Sequence, residues 1–223
     1  MGLAATGSIL LAAQAKADLT LPYTVDYSSI NSLAGPTTTE VSVPSFSPSL
    51  GTLTGITIVL NTSDTIDAHV LNSDGVVESY SSATASAPIQ ITALPSSLTS
   101  TATGTASYGS GTVPAGNPES IPPSYGYASL PGASTTASST LDVPSADFDL
   151  YEGGGDYDLT INTGIFNITG TGSSYLNFGG DATSTGNVVV TYDYVSTPEP
   201  SALLGGFGIL GSMAAMAWRK RKQ

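Results

Sequence analysis

Over residues 18–195 the hydrophobic positions alternate with polar ones at a period of two. Leu19, Leu21, Tyr23, Val25 and Tyr27 fall on one face, with Thr20, Thr24, Asp26 and Ser28 opposite. Towards the far end, Val188, Val190, Tyr192 and Tyr194 alternate with Val189, Thr191, Asp193 and Val195. A strand needs this pattern when one of its faces packs on a core and the other is wet. Residues 55–61 (GITIVLN) and 65–72 (TIDAHVLN) read as two strands joined by the polar run 61–64. Residues 148–161 read as a hairpin tipped by Gly153, Gly154 and Gly155, with Phe148, Leu150, Leu159 and Ile161 available for a core. Helical spacing of apolar residues is confined to the two terminal segments. The pattern predicts an all-β, β-sandwich-like domain over residues 18–197.

The middle of that domain, about residues 98–140, is rich in Ser, Thr, Gly and Pro, with prolines at 114, 118, 122, 123 and 131. A structureless loop of this length is uncommon inside a compact domain, so parts of it should be strands. The proline cluster should then form a connection on one edge, because proline cannot donate to a β-ladder.

The charges are partitioned along the chain. The net charge is −12, from 17 carboxylates against five Lys and Arg. Four of those five are Arg219, Lys220, Arg221 and Lys222, the fifth is Lys16, and none lies between. A body without cations has nothing to neutralise a phosphate backbone, so nucleic-acid binding is excluded. Residues 201–218 carry no charge and, as a helix, would run roughly 27 Å at ~1.5 Å per residue, close to a bilayer's hydrocarbon thickness. With Trp218 at its end and the basic tetrad following, the segment reads as a transmembrane helix whose tail stops transfer on the cytoplasmic side.

At the other end, residues 1–17 carry an apolar stretch around Ile9, Leu10 and Leu11. Ala15 and Ala17 then give a small-x-small cleavage pattern. This reads as an export signal lacking its basic n-region: either the true start lies upstream of Met1 or the signal is a weak one. A cut after Ala15 is an alternative with the same spacing. With no cysteine in the chain, an exported fold has no disulfide and must rely on its core.

Pro198-Glu199-Pro200, then a Gly- and Ala-rich apolar span, then Arg219-Lys220-Arg221-Lys222 resembles the PEP-CTERM sorting signal, over about the last 26 residues. The resemblance implies processing by exosortase, a membrane-embedded cysteine protease-transpeptidase of bacteria with two membranes, many of which make extracellular polysaccharide. Pro198 and Pro200 bias the backbone to an extended form that a protease cleft can bind. The body is similar to the choice-of-anchor E domain, in residues 43–61 (VPSFSPSLGTLTGITIVLN) and in the closing VVVTYDYVSTPEP. That domain implies an extracellular β fold and brings no catalytic residues with it.

Candidate chemistry is sparse. His69 is the only histidine, there is no G-x-S-x-G turn, and no Lys or Arg of the body could hold an oxyanion. His69 therefore reads as an ordinary strand residue, and one His without Cys argues against zinc. Asp147, Asp149, Glu152, Asp156 and Asp158 cluster within 12 residues. They read first as the wet face of a hairpin, then as a weak calcium site of hard oxygen ligands, and last as a glycosidase carboxylate pair. The expectation is a non-enzyme without cofactor: an exported, exosortase-processed surface or matrix protein associated with exopolysaccharide or biofilm. A carbohydrate-binding adhesin displaying Tyr108, Tyr125 and Tyr127 is the alternative, and a secreted hydrolase the third.

Overall fold

A computed structural model describes residues 18–32, 36–120 and 122–197. The signal segment with Ala15 and Ala17, the Pro198-Glu199-Pro200 motif, the apolar span and the basic tail lie outside the described residues. Ten strands run in chain order: β1 (Asp18–Asn31), β2 (Thr38–Pro44), β3 (Gly51–Asn72), β4 (Glu78–Ala93), β5 (Leu98–Val113), β6 (Gly126–Ser129), β7 (Ala133–Asp142), β8 (Asp156–Thr163), β9 (Asn167–Gly172) and β10 (Leu176–Ser196). A single 3-10 turn, Ser145–Leu150, is the helical element among the described residues. No helix there is long and apolar enough to cross a membrane.

The strands form two five-stranded sheets, built alike and antiparallel throughout. In the first, β3 pairs with β10 along its whole length, β10 pairs onward with β1, and the other edge of β3 is shared end to end by β7 and β6. In the second, β4 pairs with β5 on one edge, and β8 and β9 divide the other, with β2 beyond β8. The sheets stack face to face as a jelly-roll-like sandwich. At ~3.3 Å per residue, the 22 residues of β3 carry the sandwich over roughly 70 Å.

The alternation read from the sequence is what the strands bury. Ile56, Ile58, Leu60, Val188, Val190 and Tyr192 point inward from the first sheet, and Val41, Val43, Ile89, Ile91, Leu159 and Ile161 meet them from the second. A second cluster, built from smaller residues, fills the other half: Ile66, Ala68 and Val70 against Ala83, Ala85, Ala87 and Ala106, with Tyr80 and Leu176. Each fully buried Ile or Leu contributes about 1.5–3 kcal/mol of transfer free energy. The Ser/Thr/Pro-rich middle divides as expected into strands β5, β6 and β7, and its prolines sit mainly in the connection between β5 and β6.

Two local expectations are corrected. Residues 61–64 do not turn, and β3 continues through them as one strand paired with β10. The polar run keeps the period of two. Asn61 and Ser63 face outward, and Asn61 Nδ2 donates to Asn187 Oδ1 at 2.9 Å, while Thr62 and Asp64 are buried. Nor do residues 148–161 form a hairpin. Pro144 starts the 3-10 turn, closed by Asp147 N to Pro144 O and Tyr151 N to Phe148 O, both at 2.9 Å. Chain direction is then reset by the exposed Gly153–Gly155 run before β8, which pairs with β2. Leu159 and Ile161 are fully buried as expected, Phe148 packs partly against the core, and Leu150 is exposed.

Candidate functional site

The two ends of the sandwich carry different chemistry, and both chain ends of the described domain lie at the same one. Asp18 pairs with Val195, Ser196 pairs with Gly51, and Thr197 N donates to Leu50 O at 3.3 Å. The interior here is aromatic. Phe46 lies 5.7 Å from Tyr192 and 5.2 Å from Tyr194, and Tyr151 and Tyr157 meet edge to face at 4.9 Å. Tyr192 Oη is 2.9 Å from both Pro44 O and Tyr157 Oη. A hydroxyl has one proton to give; donation to the Pro44 carbonyl, which can only accept, leaves Tyr157 as donor to Tyr192. Burial raises the Tyr157 hydroxyl far above the usual range and pushes Tyr192 up to about 12. Tyr151 also rises to about 12, chiefly by burial and further by Asp147, and its hydroxyl donates to Leu94 O at 2.5 Å.

The acidic candidates are at this end too, spread over three pieces of chain. Asp147 and Asp149 ride the 3-10 turn, Glu152 bridges to Phe46, and Asp156 and Asp158 stand on the outer face of β8 opposite Pro44 and Ser42. Asp149, Asp156 and Asp158 are exposed, with Asp147 and Glu152 half-buried. Among the described residues, no three His, Cys, Asp or Glu side chains converge in a way that could hold a metal ion.

The opposite end is a set of loops tied to one buried amide. Asn72, the last residue of β3, is fully buried. Its Nδ2 donates to Val76 O at 2.7 Å and to Pro114 O at 2.9 Å, and its Oδ1 accepts from Asp74 N at 2.8 Å. Gly116 N donates to Asp74 O, and Ser73 N and Oγ both donate to Tyr175 O. The Asn72 side chain thereby joins the β3–β4 and β5–β6 loops, and its neighbour Ser73 ties in the β9–β10 loop. Glycine is required where these loops meet, since a Cβ at Gly126 would collide with the Pro114 carbonyl and one at Gly116 with Asn72 O.

On this fastened tip Val76, Val77, Tyr125, Tyr127 and Tyr175 are each at least half exposed. Tyr125 and Tyr127, two apart on an extended run, share a face. His69 stands on the outer face of β3 with its ring stacked on Tyr127, centroids 5.5 Å apart and planes at 28°. Beneath it is Gly179, where a Cβ would come to 3.0 Å from Nε2. The sole histidine is thus a supporting ring for an exposed tyrosine. Tyr108, the remaining tyrosine candidate, is not on display: it packs against the small-residue core and its hydroxyl is buried.

Rigid, exposed aromatics combine apolar faces with hydroxyl tips, a surface suited to neutral amphipathic ligands. Asp74 and Glu119 are the acidic residues of these loops, with Glu78 at the start of β4 and no Lys or Arg, so an anion gains nothing here. Two shallow grooves lie elsewhere. One, of about 280 Å³, is lined by Thr84, Ser86, Thr105, Ser107, Asn167 and Thr169, and another, of about 370 Å³, lies around Asn61, Thr136 and Ser138. Neither is lined by a titratable side chain that could serve as general acid or base. Sequence reasoning found Tyr125 and Tyr127 but missed Val76, Val77, Tyr175 and the organising Asn72; the Ser-Asp-Gly and Gly-Ser-Ser turn signals beside them were the available cue.

No protein-family model and no curated protein matches the chain. Among solved structures, infectious bursal disease virus of the Gx strain is similar over 89% of this chain and 51% of that one, at 13% identity and a TM-score of 0.25. Infectious bursal virus-derived T=1 particles match over 80% of this chain and 36% of that one, at 11% identity and 0.16. The chain spans about half the length of the first of these, and likenesses this weak carry no argument about what it does.

Proposed function

We propose that the protein is a non-catalytic display module: exported, held in the membrane by residues 201–218, processed by exosortase at Pro198-Glu199-Pro200, and placed at the cell surface or in a polysaccharide matrix. The observation that carries this reading is the polarity of the sandwich. Both chain ends of the domain leave from one end, directly before the tripeptide, and the exposed aromatics sit on the other, roughly 70 Å of β3 away. A module tethered at one end and displaying aromatic rings at the other is built to reach a ligand away from its tether. The tripartite tail supports the sorting step, because a Gly- and Ala-rich span gains little from lipid and makes a marginal anchor.

The tip favours a second, compatible reading as a carbohydrate-binding adhesin, since sugar rings present apolar C–H faces that stack on tyrosine. Three measurements test the proposal. Replacing Pro198, Glu199 and Pro200 with alanines should leave export intact and trap the chain in the membrane fraction. In the wild type, mass spectrometry of the surface form should find no peptide from residues 201–218; finding one there makes the span a permanent anchor. Neutral-glycan retention by the surface form should fall at least tenfold when Tyr125, Tyr127 and Tyr175 are changed together to Ala. Unchanged retention would remove the tip from the reading.

A further inference from the structure

Between the two core clusters the interior turns polar along one rung. Asp64 of β3 is fully buried, flanked in register by Thr135 of β7 on one side and Ser184 of β10 on the other. Thr62 Oγ1 donates to Asp64 Oδ2 at 3.1 Å, and Ser184, beside the carboxyl group in register, is hydrogen-bonded to Tyr27 Oη at 3.1 Å. From the second sheet, β5 faces the rung with Gly104, where a Cβ would collide with Asp64 Oδ2 and Thr135 Oγ1. Room for the carboxyl group has therefore been left across the sandwich. Two oxygens remain without partners, Asp64 Oδ1 and Thr135 Oγ1.

An ionised carboxylate in such a place needs a cation or a full set of donors. The sequence has no Lys or Arg between residues 16 and 219, so no salt bridge is available from the body. The Thr62 hydroxyl donates to one carboxyl oxygen, and the other is left bare. Tyr27 is the titratable group facing it, from β1, and two negative charges there would repel. β5, β7 and β10 face it with Gly104, Thr135 and Ser184, none of which titrates.

We propose that Asp64 is a proton-binding site, held as a neutral acid in a pH range where exposed carboxylates are already ionised, and that its ionisation uncouples the tip half of the sandwich from the half that carries the chain ends. The rung is the junction of the two clusters, and β3 and β10 run through it to the tip. A charge created there must draw in water, and the small-residue cluster on the tip side, built largely on alanine, has the less apolar contact to resist opening. Burial, the dominant cause, raises the Asp64 carboxyl above the usual range, with its hydrogen bonds to Ser184 and Thr62 opposing.

The sign of the linkage follows. Below about pH 4 the acid is protonated in folded and unfolded chains alike and contributes nothing. As pH rises past that value, the unfolded chain ionises and the folded one does not, so stability falls until the folded-state acid ionises in turn. Asp64→Asn keeps the shape and removes the titration, so its stability advantage over wild type should be absent near pH 4 and grow with pH.

The test uses the full chain in detergent. The Asp64 carboxyl carbon, assigned by its loss in Asp64→Asn, should titrate above the ordinary carboxylate range. Amide exchange in β6 and at the 66–72 end of β3, corrected for intrinsic rates, should accelerate at least tenfold through the same midpoint. β2 and β8 should not follow, and Asp64→Asn should abolish the step. Three results would each overturn the proposal: titration near pH 4, loss of protection equal in both halves, or a metal ion bound one to one in wild type and lost in Asp64→Asn, which would make a cation the neutralising partner. If Asp64→Asn folds poorly, Thr135→Val replaces it. That variant removes an unpartnered hydroxyl from the carboxyl's surroundings and should raise the midpoint further, and a lower midpoint counts against the neutral acid.

Discussion

Changing Tyr192 to Phe deletes one oxygen from the point where β10 is fastened to the opposite sheet. Tyr192 is fully buried, and its hydroxyl lies 2.9 Å from both the Pro44 carbonyl and the Tyr157 hydroxyl. Phenylalanine keeps the ring packing against Phe46 and Tyr23, at 5.7 and 5.9 Å, so little apolar contact is lost. The cost comes from the partners left behind. A buried polar group without a partner costs about 1–3 kcal/mol. Tyr157 incurs most of that, while the Pro44 carbonyl, only part-buried, regains some hydration. The sum is about 2–3 kcal/mol, which for a domain of this size lowers Tm by roughly 4–12 °C. Urea unfolding followed by far-ultraviolet circular dichroism measures it, with an unchanged m-value showing that the unfolded state is not altered. The control is Tyr127→Phe on the exposed tip, expected within about 0.5 kcal/mol of wild type. If the two variants are indistinguishable, the hydroxyl does not fasten the sheets.

Alkaline pH should destabilise the fold through the same tyrosines. Tyr151 and Tyr192 are raised from 10.0 to about 12, so their stabilisation is complete below pH 10 and is lost as pH rises from 10 through about 12; Tm measured across that window should fall, and less steeply in Tyr192→Phe. Gly104→Ala should cost about 1–3 kcal/mol by overpacking against Asp64 and Thr135, read as a lower urea midpoint, and a neutral outcome would mean the rung has slack. Calorimetry should detect no micromolar calcium binding, since Asp147, Asp149, Glu152, Asp156 and Asp158 are dispersed over a turn, a loop and a strand face; a micromolar heat signal lost in Asp156→Asn would show that they converge on the ion.

The alternation of residues 18–195 was sufficient to specify an all-β sandwich and most of its core, because a strand's side-chain period is fixed by backbone geometry and does not depend on what the strand meets. Leu159, Ile161, Val188, Val190 and Tyr192 are buried for that reason. The charge partition was equally legible, being a property of the chain alone. The continuity of β3 through residues 61–64 was not. Asn, Thr, Ser and Asp together signal a turn, and only the register with β10 and β7, which supplies partners to each of them from distant sequence, makes an extended path better. The same limit hid the tip and the Asp64 rung. Asn72 and Ser73 gather three loops through Pro114 and Tyr175, and Asp64 meets Thr135, Ser184 and Gly104, all through contacts that join residues 40 to 120 positions apart. Local sequence carries the period of a strand, but which strands become neighbours, and so which polar groups are buried together, is decided when the two sheets close on each other.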